Sequence, residues 1–514
     1  MTADDDRRSI IAALEQGDFA VAEAGCQSLL SRGATGEGLY LLAVVRAAQD
    51  DPFSALPLVE QAEALLPGRE DVAYNHGVIL RDLGRLAEAA EAWRRVTDLV
   101  PTHHDAWLNR AAAVEAVADL DAAGEIYGEA LRHCPDEPRL LYNFADFHYR
   151  RGAVEAAVQA YDRLLQAFPG WSAAWTNLGM SHLRAGRFDA AEACHRRAIA
   201  EANSSDDLAL AQFNLGNLLL RQGRWAEGFA AYEWRLRLPG VSRLDWPVPE
   251  WNGDEPSGCR VLVWNDQGMG DALQFLRFVR PVAERGHRVF VVLRDEIKTL
   301  AASVPGVEAA FGLSDPLPDM DVHLPLCSLP HKLGLTPEAS WPGGPYLSTP
   351  STVSLPPATG KRVGLVWAGN PGHSNDSNRS ISLSDLAPLL DLPGIDWCSL
   401  QLGAGLEQLA GSPWADRVRD LSPLLTDFAA TAAVMAQLDL LISVDTAVVH
   451  LAGALDRPAW GLLPAIGTDW RWRFEGETTD WYPSLRLFRQ AEAGDWRPVM
   501  ADIASLLLAQ RYGG

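Results

Sequence analysis

Four prolines recur at an interval of 34 residues and constrain the first half of the chain more than any other feature. They are Pro67, Pro101, Pro135 and Pro169. A proline ends a helix because it lacks the backbone N–H and clashes with the preceding turn. A helix-ending proline at this fixed period predicts a stack of helical hairpins, each of which buries its apolar face only against its neighbours.

Other residue types keep the same step. Small residues recur where the two helices of a hairpin would touch, and large rings recur where they would fill the groove between neighbours. The first small series is Gly77, Ala111, Ala145, Gly179 and Gly216, the second is Ala89, Ala123, Ala157, Ala191 and Gly228, and the ring series is Trp93, Tyr127, Tyr161, His195 and Tyr232. The pattern is typical of tetratricopeptide (TPR) repeats, and we expect a TPR superhelix of about six hairpins over residues 1–238.

An asparagine follows the same period on the first helix of each repeat. We call these residues the asparagine ladder: Asn75, Asn109, Asn143, Asn177 and, after a short insertion, Asn214. Their repeat position faces the concave groove of a TPR superhelix, and an asparagine side chain both donates and accepts hydrogen bonds. The ladder predicts binding of an extended peptide backbone. The alternative is a helix-surface residue that this position merely tolerates.

Composition disfavours two classes of partner. The 514-residue chain has a net charge of −23, whereas nucleic acid or an anionic membrane would require a basic face. Its six cysteines are scattered without a C-x-x-C pair, which predicts buried thiols rather than disulfides or a zinc site. There is no run of about 18 apolar residues and no apolar signal core, so we predict a cytoplasmic protein.

The helical period stops after Trp234, and strands begin to alternate with helices. This alternation predicts parallel sheets, with a ligand cleft at the carboxyl ends of their strands. We expect a linker at 239–258, an α/β domain at 259–345, a Pro- and Ser-rich linker at 346–361 and a second α/β domain at 362–514. The predicted strands are 261–264, 287–293, 363–368, 396–402, 438–444, 459–463 and 486–490, and the predicted helices include 271–286 and 498–512.

The first candidate for chemistry is the loop Gln267-Gly268-Met269-Gly270-Asp271, which follows the first predicted strand. Its glycines let the backbone approach a ligand closely, and the next helix offers free N–H groups. Asp271 stands at the start of that helix. It either caps the helix or projects into the cleft as a general base.

The second candidate is the segment 443–454, SVDTAVVHLAGA, which leaves an apolar strand and opens a helix. Asp445 and Thr446 therefore meet the cleft at the positive end of the helix, a natural seat for a diphosphate. Thr446 can donate to a phosphate oxygen. Asp445 would repel phosphate, so we expect it to bind a sugar hydroxyl or the backbone. For His450, one turn further, a buried structural role is the alternative.

The third candidate is the polar loop 367–381, where Arg379 could neutralise a departing diphosphate without a metal ion. The pair Asp319 and Asp321 has the D-x-D form of some metal sites. We interpret it as chance, because its Pro-rich loop has no supporting His or Glu cluster. We therefore predict no metal site.

The second half resembles glycosyltransferase family 9, the heptosyltransferase-like enzymes with a GT-B fold of two Rossmann-like domains. The resemblance is carried by QGMGDALQFLRF, VGLVWAGNPGHSNDSNRSISL, TDFAATAAVMAQLDLLISVDTAVVHLAGAL and DWRWRFEGETTDWYPSLRLFRQ. It implies an acceptor-side first domain, a donor-binding second domain and Asp271 as the base. The family usually has Lys at Arg379 and Gly at Ala447. The donor-binding residues we expect are Gly268, Gly270, Asn370, Arg379, Gln401, Asp445, Thr446 and His450.

The whole chain resembles bacterial TPR glycosyltransferases, including those that modify flagellin. The ladder is similar to that of O-GlcNAc transferases, which read protein substrates along a TPR groove. The resemblance implies inverting, metal-independent transfer from a nucleotide sugar, with no cofactor, to Ser or Thr of a protein, flagellin being a candidate. One alternative is a small-molecule or lipopolysaccharide glycosyltransferase whose TPRs serve assembly. The other is a non-catalytic TPR adaptor.

Overall fold

The computed structural model describes residues 3–33, 35–241, 244–335 and 344–512. The chain divides into two compact units, Met1–Asn203 and Ser204–Gly514. The predicted boundary of the helical domain at residue 238 lies within the second unit. The predicted domain at 259–345 extends into residues 336–343, which lie outside the described part.

The described residues of the first unit form twelve helices that pair into six hairpins. A hairpin turn requires a residue with positive φ, which glycine supplies at Gly84, Gly152 and Gly186, whereas Ala118 adopts φ +66° in the corresponding place. The helices are α1 Ala3–Glu15, α2 Phe19–Ser31, α3 Thr35–Ala48, α4 Pro52–Leu65, α5 Glu70–Asp82, α6 Leu86–Leu99, α7 His104–Ala116, α8 Leu120–His133, α9 Pro138–Arg150, α10 Val154–Ala167, α11 Ser172–Arg184 and α12 Phe188–Ala200.

The small residues of the repeat lie where the sequence places them. A Cβ on Gly77 would stand 2.5 Å from Trp93 Nε1, and one on Gly179 would stand 2.7 Å from His195 Cε1. Both rings are fully buried. Close approach of the two helices therefore depends on glycine at one position and a large ring at the other.

A seventh hairpin, α13 Ser205–Arg221 and α14 Trp225–Tyr232, opens the second unit. Phe229 of this hairpin contacts Phe275 and Trp470 edge-on, at ring distances of 6.3 and 5.9 Å. These apolar contacts group the hairpin with the α/β region. The TPR superhelix predicted from the sequence is present, and it is followed in the chain by a region of parallel sheets that is consistent with an α/β GT-B domain.

Two wholly parallel sheets form the core of the second unit. The first has the order β3-β2-β1-β4 and the second β10-β9-β8-β5-β6-β7. Their strands are β1 Arg260–Trp264, β2 Arg288–Val292, β3 Val307–Phe311, β4 Val322–Pro325, β5 Lys361–Val366, β6 Ile395–Ser399, β7 Val418–Asp420, β8 Leu440–Val444, β9 Ala459–Leu463 and β10 Leu485–Arg489. The sequence analysis missed β3, β4 and β7, which lie at sheet edges and are short or only partly apolar.

Short helices cover these sheets. The helix predicted at 271–286 is wrong as one element, because it divides into α15, a 3₁₀ turn at Leu276–Phe278 and α16. Pro281 within α16 cannot donate to the carbonyl of Arg277. The helices are α15 Met269–Phe275, α16 Val279–Glu284, α17 Asp295–Ala301, α18 Leu329–Leu333, α19 Asp376–Arg379, α20 Ala387–Leu390, α21 Glu407–Ala410, α22 Phe428–Met435, α23 Ala447–Ala454 and α24 Arg497–Tyr512.

All six cysteines are free thiols, and four of them are buried: Cys26, Cys194, Cys327 and Cys398. Within the described ranges, no helix combines the length and the apolar character that a membrane span requires.

Candidate functional site

A cleft of about 690 Å³ lies at the carboxyl ends of the strands in the second unit. The loop after β1 forms one wall, and the segments after β5, β6, β8 and β9 form the others. The cleft brings together every predicted catalytic and donor-binding residue: Gly268, Gly270, Asp271, Asn370, Arg379, Gln401, Asp445, Thr446 and His450.

The amino ends of α15 and α23 meet in this cleft. A Cβ on Gly270 would stand 2.8 Å from His450 Cδ2 and 3.6 Å from the Cα of Ala447. Thr446 is the N-cap of α23, but its side chain does not cap the helix and its hydroxyl lies 3.3 Å from Ser443 Oγ. The first N–H groups of α23 therefore have no side-chain acceptor among the described residues, which is the arrangement that binds an anion.

Asp271 combines the two roles that the sequence left open. Its Oδ2 accepts the N–H of Gly268 at 3.0 Å, which caps α15. Its Oδ1 pairs with Arg471 Nη2, and 22% of the side chain stays exposed to the cleft. Burial raises the pKa of Asp271 above its usual value, and the neighbouring Arg471 opposes that shift. The carboxylate is thus held on two sides and still reaches the cleft.

Arg471 is a site residue that the sequence analysis did not single out. It lies between β9 and β10, is 4% exposed, and donates through Nη1 to both oxygens of Asp469 at 3.0 Å. Its Nε donates to Gln274. The segment DWRW contributes to the family resemblance, and its arginine between two tryptophans after a strand is the sequence signal that indicates this residue.

Arg379 and Asp445 also line the cleft. Arg379 donates from Nε to Asp376 Oδ1 and from Nη1 to the backbone carbonyl of Asp445, both at 3.0 Å. Burial and the nearby carboxylate of Asp469 raise the pKa of Asp445 to about 7. Near neutral pH a large fraction of Asp445 is therefore uncharged, which reduces its repulsion of an anionic ligand.

His450 has the contacts of a structural histidine although it lines the cleft. Its Nδ1 lies 3.0 Å from the hydroxyl of Tyr482, and its ring stacks on Trp472 at 5.2 Å. Burial, together with two nearby arginines, lowers its pKa well below the usual value. A neutral imidazole thus separates Gly270 from Tyr482 and sets the spacing of the two helix ends.

Gln401 and Asn370 shape the loop after β5. Gln401 accepts from the N–H groups of Trp367 and Ala368 at 3.0 and 2.9 Å and donates to the carbonyls of Ala368 and Leu402 at 3.0 and 2.8 Å. These four bonds use the whole hydrogen-bonding capacity of its amide. Asn370 is exposed, and its Oδ1 accepts the N–H of Gly372 at 2.9 Å.

One carboxylate of the D-x-D sequence, that of Asp321, pairs with Arg260. Asp321 accepts from the backbone N–H of Arg260 at 2.7 Å and from its guanidinium at 3.0 Å. In the part of the chain that the structure describes, no group of three His, Cys, Asp or Glu side chains could hold a metal ion.

Three of the five asparagines of the ladder connect neighbouring repeats. Asn75, Asn109 and Asn177 each donate to the hydroxyl of a tyrosine in the preceding repeat, at 2.9, 3.0 and 2.9 Å, these being Tyr40, Tyr74 and Tyr142. Asn143 has Leu108 in the place of that tyrosine and donates to the carbonyl of Arg139 at 2.8 Å. Asn214 lies half-buried on α13 of the second unit.

Comparison with protein families adds two findings. Tetratricopeptide repeat families match residues 74–138, 116–179 and 172–238. Glycosyltransferase family 9 (heptosyltransferase) matches residues 418–464, which run from β7 to β9 and include Asp445, Thr446 and His450. The chain carries tetratricopeptide repeats and a glycosyltransferase family 9 segment. This combination supports glycosyl transfer as the activity and protein–protein interaction as a property of the repeats.

Protein FlbA of Caulobacter vibrioides is 27% identical to the chain over 539 residues, which covers 97% of the chain and 88% of FlbA. The chain is also similar to solved structures, including the following two. The C-terminal part of a TPR repeat-containing protein from Cytophaga hutchinsonii is 14% identical with a TM-score of 0.40 and covers 46% of this chain and 96% of its own. Pseudomonas aeruginosa pilF is 19% identical with a TM-score of 0.34 and covers 40% and 94%.

Proposed function

We propose that this protein is an inverting, metal-independent glycosyltransferase that moves a sugar from a nucleotide sugar to a Ser or Thr hydroxyl of a protein bound by the TPR repeats. One observation carries the proposal. A half-buried carboxylate at the start of α15, Asp271, faces the same cleft as the uncapped amino end of α23 and the guanidinium of Arg379. The candidate base, the anion-binding amino end of α23 (the anion seat) and the cation therefore lie within one cavity.

Asp271 is the general base of this reaction. As the acceptor oxygen attacks the anomeric carbon, its proton passes to the Asp271 carboxylate. The bond between the anomeric carbon and the phosphate oxygen breaks on the opposite side, and its electron pair leaves with the nucleotide. One displacement of this kind inverts the anomeric configuration.

The departing phosphate is stabilised by fixed hydrogen-bond donors, one of which, the Arg379 guanidinium, carries a positive charge. The N–H groups at the start of α23, the Thr446 hydroxyl and the Arg379 guanidinium all line the cleft. Charge-assisted hydrogen bonds of this kind are about twice as strong as neutral ones, and they favour the state with the most negative charge on the leaving oxygen. No cation other than those of the protein is needed in this scheme.

The acceptor is a protein, with flagellin as a candidate, and the ladder binds its backbone. Both amide hydrogens of Asn177 are used within the repeats, by Tyr142 and by Tyr161. At this rung the side chain therefore binds the acceptor through its carbonyl oxygen, which accepts a peptide N–H group. This sense of hydrogen bonding suits an extended peptide whatever its side chains.

The test compares cells without the protein, cells with the wild type and cells with one of two variants. Asp271→Asn and Asp427→Asn each alter a carboxylate that caps a helix, Asp427 accepting the N–H of Ala430 at 2.7 Å. Intact-mass analysis should show a sugar increment on one or more proteins with the wild type and with Asp427→Asn. Asp271→Asn should reduce the rate of modification by about 10²–10⁴-fold.

Equal rates of modification by Asp271→Asn and Asp427→Asn would show that Asp271 acts only as a helix cap and not as the base. If no protein loses a sugar increment in cells without the chain, the proposed transfer to protein is wrong. Activity that chelator abolishes and Mg²⁺ or Mn²⁺ restores would contradict the metal-independent mechanism.

A further inference from the structure

Arg471 is the only cation that touches the proposed base among the described residues, and it is rigidly held. Its guanidinium is bound by Asp469 on one edge and by Gln274 on another. It also lies over the ring of Trp470 at 4.4 Å and near that of Phe275 at 5.5 Å. A planar guanidinium held by carboxylate, amide and aromatic faces has a defined orientation.

We propose that Arg471 is a positioning residue for the transfer reaction, one that orients the Asp271 carboxylate toward the cleft and keeps it ionised. This inference rests on the proposed function. It assigns to the segment between the last two strands a role in the chemistry of the first α/β half.

The geometry of the carboxylate supports this role. Gly268 N–H holds one oxygen at 3.0 Å and Arg471 Nη2 holds the other, so rotation of the carboxyl group is blocked from both sides. Each carboxylate oxygen has a second lone pair. Since 22% of the side chain remains exposed, an acceptor hydroxyl can still reach it. Without Arg471, only the backbone contact would restrain the base.

The charges around Asp271 make the effect of Arg471 distinguishable from that of its neighbours. Asp469 and Asp266 disfavour the ionised form of Asp271, and Arg471 favours it. Asp266 is itself paired with the buried Arg235 at 2.7 Å. Four groups within electrostatic reach or in contact across α15 are uncharged near neutral pH: Tyr232, Cys327, His373 and His450. Asp445, which lines the same cleft, is influenced by Asp469 and Arg471 in the same sense as Asp271.

Removal of Arg471 and removal of Asp469 should therefore shift the titration of the base in opposite directions. Arg471→Gln leaves Asp271 beside the carboxylates of Asp469 and Asp266. The acid limb of the pH–rate profile, where activity falls as Asp271 is protonated, should therefore move to higher pH by about one unit. Asp469→Asn removes a carboxylate that repels Asp271, so the acid limb of the profile should move to lower pH. Arg471→Lys keeps the positive charge and should retain the limb of the wild type with part of the activity.

The assay adds purified full-length protein to a cleared extract of cells that lack it, which supplies both the nucleotide sugar and the unmodified acceptor. Initial rates of the acceptor's mass increment are measured from about pH 5.5 to 8.5, and each variant is expressed as a ratio to the wild type at the same pH. Arg471→Gln should lower the rate by about 10²-fold, the effect of a misplaced catalytic group, with the ratio falling further toward acid pH.

A merely structural role for Arg471 would lower the ratio by the same factor at every pH, and that result would overturn the inference. Thermal unfolding is followed in parallel. If Arg471→Gln does not fold, the other two variants provide the test. The inference is also wrong if the acid limb of the pH–rate profile does not move to lower pH in Asp469→Asn, or if it moves to higher pH in Arg471→Lys. Absence of any mass increment with the wild type would instead contradict the proposed function.

Discussion

Gly270→Ala tests whether the meeting of two helix ends sets the geometry of the site. Gly270 lies in the first turn of α15 and does not have a positive φ, so alanine is compatible with its backbone. The added Cβ would stand 2.8 Å from His450 Cδ2, well inside the usual carbon–carbon contact distance of about 3.5–4.0 Å. His450 cannot turn away, because it is buried between Trp472 and the hydroxyl of Tyr482.

The size of the effect follows from these contacts. Overpacking a fixed core contact destabilises a protein by about 1–3 kcal/mol. Replacing a helical glycine by alanine returns about 0.5–1 kcal/mol. A net loss of about 1–2 kcal/mol is expected. Separation of α15 from α23 by most of an ångström should also move Asp271 relative to the anion seat and lower transfer by about 10²-fold.

Gly128→Ala is the matched control, because Gly128 is also helical and a Cβ there would meet nothing within 4 Å. It should stabilise the protein by up to about 1 kcal/mol and leave transfer unchanged. Thermal unfolding and the rate of the acceptor's mass increment are measured for both variants. If Gly270→Ala is as stable and as active as Gly128→Ala, the helix contact does not set the geometry of the site.

Three further predictions concern charge and the acceptor. Burial raises the pKa of Asp445 to about 7, so the contribution of this carboxyl group to wild-type stability is lost as the pH rises from about 4 to 7. Asp445→Asn should therefore have the same free energy of unfolding as the wild type at pH 4 and be about 1–3 kcal/mol more stable at pH 8. Arg379→Ala and Thr446→Ala should each weaken the cognate nucleotide sugar about tenfold in calorimetry, and EDTA should leave binding unchanged. Alanine at the three tyrosine-bonded rungs of the ladder should weaken acceptor transfer by one to several orders of magnitude and spare donor hydrolysis. Phenylalanine at the three partner tyrosines removes the same inter-repeat bonds and should spare both, whereas equal losses in the two triple variants would show that the ladder only connects repeats.

The sequence predicts those features whose cause is local or periodic. The contact between Gly77 and Trp93 repeats because a 34-residue period returns the same pair to the same place. Likewise, loops that follow parallel strands end at one edge of a sheet, which brings Asp271 and Asp445 to one cleft although 174 residues of sequence separate them.

Features that depend on tertiary partners were not predictable in this way. Arg471 pairs with Asp271 across 200 residues of sequence, and no local spacing indicates that a guanidinium from one α/β half reaches a carboxylate of the other. The missed strand β4 contains His323 and Pro325 and lies at an edge. Its pairing with β1 is a tertiary property that a four-residue pattern cannot signal.

For the asparagine ladder, the repeat period predicts where each side chain lies but not which hydrogen bonds it makes. Its period indicated one face of the superhelix, but the hydrogen bonds of Asn75 and Asn177 depend on tyrosines of the preceding repeat. Leu108 interrupts that tyrosine series, so one hydrogen of the Asn143 amide has no acceptor among the described residues. At Asn143, as at Asn109, which donates only to Tyr74 among the described residues, one amide hydrogen and the carbonyl oxygen are therefore available to a peptide. Acceptor contacts through both groups should therefore exclude Asn75 and Asn177, where the repeats themselves occupy both amide hydrogens.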